Sequence, residues 1–227
     1  NCADQEIDQE EVEMQLAVRN LAGEVVDNID VDGSVFEVPL NKSVVHQAMV
    51  RQLANDRLGT ADTKTRAEVA GSTRKLYKQK HTGRARKGSA KSPLLKGGGI
   101  TFGPHQRSYR QRMPKKMRHL ALRCLLSAKA SSGEILVVDQ LKLDKPKTAE
   151  MAGVLKALGV TSSALVVTQK PEASIVRSAQ NLQGIRTLPA DLLNVKDLLT
   201  YSYMVIGVDG LRAVESGLAV KAPARVG

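Results

Sequence analysis

The chain has 227 residues, with 34 Lys and Arg against 23 Asp and Glu, a formal net charge of +11. Hydrophobic residues make up 42%, enough for a packed core, while 3% aromatics and no Trp leave too few rings for an RNA-recognition sheet built on exposed stacking. Two cysteines, Cys2 and Cys124, exclude a disulfide scaffold and a cysteine-based zinc centre, and no apolar run approaches the ~20 residues of a membrane span.

Residues 1–13 are acid-rich and read as a disordered extension. Met14–Asn20 alternates as a short strand, and Val25–Val38 holds further strand candidates around a turn at Asp32-Gly33. Asn41 is a candidate N-cap for a helix to Asp56, with Val45, Ala48, Met49 and Leu53 on one face. From Arg57 to Pro114 neither a helical nor a strand period appears. A segment of that length predicts order imposed by something outside the domain. Doubled back, it would reach up to roughly 95 Å at ~3.3 Å per residue.

Regular patterning resumes after Pro114. Met117, Leu120, Ala121, Cys124, Leu125 and Ala128 form a helical stripe stopped at Gly133. Strand and helix then alternate. Strands are expected at 134–139, 163–169, in the GIRTLPA segment and at 203–209. Helices are expected at 147–158, from Pro171 to Gly184, over NVKDLLT, and from about Leu211. Strands apolar on both faces and separated by helices imply an α/β fold with a largely parallel, helix-covered sheet. The expected organisation is one globular domain from 14–56 and 115–220, with 57–114 as an extended basic loop.

The charge is concentrated. Residues 51–123 hold 20 Lys and Arg against Asp56, Asp62 and Glu68, a net +17, and no acid occurs from Val69 to Gly133. Crowded cations with no internal neutraliser point to a polyanion. Repeated Gly and Pro interrupt any amphipathic helix, which leaves anionic lipid a minor alternative and nucleic acid the leading reading. A solvated tail is the bland alternative, but this segment is internal and carries Tyr77, Phe102 and Tyr109, half of the six aromatics. Those three rings are candidates for stacking on unpaired bases.

Other motifs carry less. Gly83 to Gly88 has the gap of a P-loop, but Ser89 stands where its lysine belongs and no buried strand precedes it. Gly97-Gly98-Gly99 likewise lacks the strand of a dinucleotide fingerprint and suits close approach to a phosphate backbone. His46, His81, His105 and His119 fall in no metal-binding spacing, so no metal is assigned. Asp139 and Asp209 sit at expected strand C-termini, where α/β enzymes place catalytic groups. Cys124 lies on an apolar helix face and reads as a structural thiol.

The ordered motifs of the basic segment carry a specific resemblance. They run Arg51-Gln-Leu-Ala-Asn55, Gly59-Thr60, Thr63-Lys-Thr-Arg66, Glu68-Val69, Arg74-Lys75, Gln79-Lys80 and Thr82-Gly-Arg-Ala-Arg86. Gly88-Ser89, Ser92-Pro93, Gly97-Gly-Gly99, Phe102-Gly-Pro104 and Pro114-Lys-Lys116 continue the set. The chain resembles the bacterial-type large-subunit ribosomal protein four family, densely over 41–130 and more loosely to about 218. The resemblance implies an α/β body on the outer side of the large subunit, a loop threading into large-subunit rRNA, early rRNA binding in assembly, and no enzymatic activity or cofactor. It implies rRNA, neighbouring large-subunit proteins and the nascent peptide as partners, in a ribosome of the bacterial cytoplasm or plastid stroma. The acidic start before Met14 lies outside the shared pattern and favours an organellar copy.

The expected rRNA-binding residues are Arg74, Lys75, Tyr77, Lys78, Lys80, Arg84, Arg86, Lys87, Lys91, Lys96, Arg107, Tyr109, Arg110, Arg112, Lys115 and Lys116. Carried over by position, the tip lining the peptide exit tunnel would be Lys78, Gln79, Lys80, His81, Thr82, Gly83 and Arg84. His81 departs from the family's usual glycine, Gly71-Ser-Thr-Arg74 from a commoner glycine run, and His105-Gln106 from what is usually Lys-Pro.

Overall fold

The structure, a computed structural model, describes residues 14–142 and 146–219. The acidic extension at 1–13, with Cys2, lies outside the described residues. The chain divides into two compact units, one of residues up to Leu53 and from Arg112 onward, the other Ala54–Gln111.

The first unit is built on a six-stranded sheet. Strands β1 (Met14–Arg19) and β2 (Val25–Val31) form an antiparallel hairpin. The short helix α1 (Gly33–Phe36) and helix α2 (Lys42–Asp56), which runs into the second unit, follow. Helix α3 (Lys115–Ser131) leads into β3 (Ile135–Val138). Then come α4 (Thr148–Ala157), β4 (Ala164–Thr168), α5 (Ala173–Ala179) and β5 (Ile185–Pro189). The unit closes with α6 (Val195–Thr200), β6 (Tyr203–Gly207) and α7 (Val208–Leu218). Sheet order is β2-β1-β3-β6-β4-β5, and every pairing except β1–β2 is parallel.

Period-2 alternation within the buried strands makes two cores. Ile135 and Val137 of β3, Leu165 and Val167 of β4, and Met204 and Ile206 of β6 pack with Ala121, Leu125 and Leu126 of α3 and with Leu211 of α7. Leu136 and Val138, Ala164 and Val166, and Val205 face the other way, onto Met151 and Leu155 of α4 and Ile175 of α5. Each fully buried Leu, Ile or Val contributes about 1.5–3 kcal/mol over its exposed state. Cys124 is fully buried in the first core with Sγ 3.3 Å from the Pro39 carbonyl, a structural thiol as expected.

Two local expectations are corrected. No strand continues through 33–38. The Asp32 carboxylate instead accepts from the Ser34 amide at 2.8 Å and caps α1, which buries Val35 and Phe36. Ser127 Oγ of α3 fixes that turn by donating to the Val35 carbonyl and accepting from the Val38 amide. Helix α7 begins at Val208 directly after β6, not at Leu211. By contrast, Asn41 does cap α2, its Oδ1 accepting from the Val44 amide at 3.2 Å.

Candidate nucleic-acid interface

The second unit holds 14 Lys and Arg against three acids. Its backbone doubles back on itself. Asn55 Oδ1 accepts from the Gln111 amide, the Gly59 carbonyl from the Arg107 amide, and the Lys64 carbonyl from the Ile100 amide at 2.9 Å. Further out, Ser72 meets Ser89, Lys75 bridges to Ser89, the Gly88 carbonyl accepts from Leu76, and Tyr77 Oη donates to the Ala85 carbonyl. All of these pairs are centred between residues 80 and 84, so the segment is an irregular hairpin turning there.

Side chains reinforce the ladder near its open end. Asp62 Oδ1 lies 2.9 Å from His105 Nδ1, and Thr63 Oγ1 donates to the Pro104 carbonyl at 3.2 Å. The Asp62 carboxyl is held below its usual range, first by the His105 hydrogen bond and then by the Thr63 amide. Glu68 is lowered likewise, by the amide and hydroxyl of Thr65. Two of the unit's three acids are thereby engaged within it, and neither neutralises a Lys or Arg. At Gly99 the arms touch, and a Cβ there would stand 2.3 Å from the Arg66 backbone nitrogen.

The expected site residues separate as follows. Arg74, Lys75, Lys78, Lys80, Arg84, Arg86, Lys87, Lys96, Arg107 and Arg110 are exposed on the hairpin, and Lys91 is half-buried there. Lys75 Nζ is spent on Gln79 Oε1 within the same arm. Arg112, Lys115 and Lys116 are exposed but belong to the first unit, the two lysines at the start of α3 and Arg112 before its Pro114 N-cap. Lys78, Gln79, Lys80, His81, Thr82, Gly83 and Arg84 occupy the turn, closed by the Tyr77–Ala85 bond.

His81 has φ +66° and Gly83 φ +63°. A left-handed residue is what a glycine supplies without strain, so His81 keeps a glycine's backbone conformation although it carries a side chain.

At Tyr109 the Arg57 guanidinium lies 3.9 Å and the Arg107 guanidinium 4.7 Å from the ring centroid. The Arg107 hydrogen bond and the charges of Arg107 and Arg57 lower its phenol from the usual value. Tyr109 clusters two cations by cation–π contact. Sequence reasoning missed Arg57, Asp62, Thr63 and His105. Only the Arg107-Ser-Tyr109 spacing, with alternate residues on one face of an extended arm, hinted at this cluster.

The geometry is that of a basic arm. The family model described as "Ribosomal protein L4/L1 family" matches residues 29–217. The chain belongs to this family. It is 48% identical over 202 residues to the large ribosomal subunit protein uL4 of Dehalococcoides mccartyi, covering 89% of this chain and 96% of that protein. It is 50% identical over 204 residues to that of Pelotomaculum thermopropionicum (90% and 98%) and 47% over 205 residues to that of Moorella thermoacetica (90% and 99%).

Ribosomal membership also settles Asp139 and Asp209. They line a cleft of about 390 Å³ at the strand C-terminal ends, beside Lys142, Lys170 and Glu172. The family is a structural, non-enzymatic one, so the two carboxylates are not assigned a catalytic role. Among the described residues no group of His, Cys, Asp or Glu is arranged to hold a metal ion, and no helix is long and apolar enough to cross a membrane.

Proposed function

We propose that this chain is a structural constituent of the large ribosomal subunit in which the 54–111 hairpin is the main rRNA-contacting arm. Membership of the L4/L1 family makes it a ribosomal, rRNA-associated protein and not an enzyme. The observation that carries the arm assignment is the doubled-back backbone with 14 cations and no internal neutralisation of them by Asp62 or Glu68. Such a surface lowers its own repulsion by displacing counterions from phosphates. Lys and Arg contacts to A-form backbone hold RNA shape without reading base sequence. The α/β body, 14–56 and 115–220, anchors both ends of the 57–114 loop, with Arg112, Lys115 and Lys116 extending the contact into the body. The turn Lys78–Arg84 lines the nascent-peptide exit tunnel, and neighbouring large-subunit proteins flank the body.

The test is incorporation. A tagged chain expressed in bacteria should co-sediment with the large subunit, and a variant lacking 57–114 should not. With a photocrosslinking residue in place of His81, a stalled nascent peptide should be labelled. Labelling of rRNA alone at that position would remove the turn from the tunnel. Sedimentation unchanged by loop deletion would refute the arm assignment.

A further inference from the structure

The three aromatics of the hairpin do not stand alike. Tyr77 is half-buried and donates through its hydroxyl to the Ala85 carbonyl, and Tyr109 is covered by Arg57 and Arg107. Phe102 is fully exposed, at 102% relative accessibility. It is also one of two non-glycine residues at positive φ among those described, at +54°. For a bulky side chain that conformation is an outlier, held only where the surroundings enforce it, and such outliers cluster where a side chain is aimed at a ligand.

The surroundings do enforce it. On one side, the Ile100 amide is bonded to Lys64 of the opposite arm. On the other, Gly103 passes so close to Thr63 that a Cβ would stand 2.1 Å from its Oγ1, and the Pro104 carbonyl accepts from that same hydroxyl. Phe102 is the apex of a short span clamped at both ends. Ile100 and Leu94 are exposed nearby in sequence, and the flanking charges are cationic, Lys96 and Arg107. A bare ring in a segment of 14 Lys and Arg, where the nearby Asp62 is already bonded to His105, fits a polyanion that itself offers flat apolar faces, which is a nucleic acid with an unstacked base.

We propose that Phe102 is a stacking wedge that inserts against an unpaired or unstacked base of large-subunit rRNA. This rests on the rRNA-arm reading above. Stacking adds affinity that does not depend on salt, whereas the cations supply the salt-dependent part. The two contributions can therefore be measured apart.

The experiment uses the full chain and a large-subunit rRNA transcript, with affinity read between 50 and 200 mM salt. Phe102→Ala removes the ring and keeps the strained backbone position. Phe102→Gly removes the ring and relieves the strain. Phe102→Trp keeps a stacking face. Both truncations should weaken binding roughly 5- to 100-fold at every salt concentration with an unchanged salt slope, and Trp should bind as wild type. Ultraviolet crosslinking should join the tryptic peptide 97–107 to one base, and the crosslink should vanish in Phe102→Ala. Wild-type binding by Ala and Gly variants with an intact salt slope would overturn the wedge and leave the rRNA arm standing. Loss in Ala but not Gly would make position 102 a backbone device and also overturn it. A wild-type salt slope near zero would instead bring down the rRNA-arm reading itself.

Discussion

Neutralising Lys87, Lys91 and Lys96 together changes a number that the electrostatic account fixes in advance. These three lysines sit on the return arm of the hairpin, and none has an ion-pair partner among the described residues. If each neutralises one phosphate, the triple Ala variant loses three released counterions. For duplex RNA of similar charge density the slope of log affinity against log salt falls by about 0.9 per contact, or about 2.7 for three. Between 50 and 200 mM salt, a fourfold change, wild type should lose roughly 40-fold more affinity than the variant. At low salt the variant should bind more weakly, and the two curves should converge as salt rises. Thermal unfolding should be unchanged, because none of the three side chains contributes to either core. Titration of a labelled rRNA transcript at four salt concentrations is the assay. Parallel salt plots for the two proteins would show that these lysines never meet phosphate and would refute the reasoning.

Other consequences follow from individual contacts. Gly99→Ala places a Cβ against the Arg66 backbone, so the arms must part and the 2.9 Å Ile100–Lys64 bond is lost. Its amide exchange at Ile100 should rise, and rRNA affinity should fall while the melting temperature of the body holds. The Asp62 carboxyl is depressed below 3.8, so its contribution is present above that value and is lost as pH falls through the lower folded value. Carbon-detected NMR should show Asp62 titrating below the ordinary carboxyl value of 3.8, and His105→Ala should move it back up. Leu126→Ala, at a fully buried core position, should cost about 2–5 kcal/mol and lower the melting temperature by roughly 5–15 °C for a chain of this size. The surviving folded fraction should keep the wild-type salt slope, since Leu126 is a core residue of the first unit and the 14 Lys and Arg of the hairpin lie in the second.

Much of this protein is readable from residue order, for physical reasons that differ by element. The buried strands of β3, β4 and β6 announce themselves as short runs of Val, Ile and Leu, because parallel strands are covered on both faces. The helix after Pro114 shows its 3.6-residue stripe because only one side meets the sheet. The turn at Gly33–Phe36 reads wrongly as strand because its conformation is decided by the Asp32 cap and by Ser127, 92 residues from Val35. Within the hairpin the cations are legible as charge, but their pairing is not. Cross-arm bonds such as Asp62–His105 join residues 43 positions apart with no periodic signal. Tyr109 illustrates the limit: residue order marks it as one ring in a basic segment, and only geometry reveals Arg57 and Arg107 lying over it. The left-handed backbone of His81, at φ +66°, likewise carries no signal in residue order.

The central claim is that the hairpin is the main contact with folded rRNA. Binding to a large-subunit rRNA fragment and to DNA of equal length, measured at several salt concentrations for the intact chain and for one lacking 57–114, tests it most directly. The account predicts preference for rRNA in the intact chain, a loss of about 10³–10⁵-fold in affinity from 50 to 200 mM salt for ~10 phosphate contacts, and collapse of both in the deletion variant. Equal affinity for rRNA and DNA, or rRNA binding that survives loss of the hairpin, would contradict it.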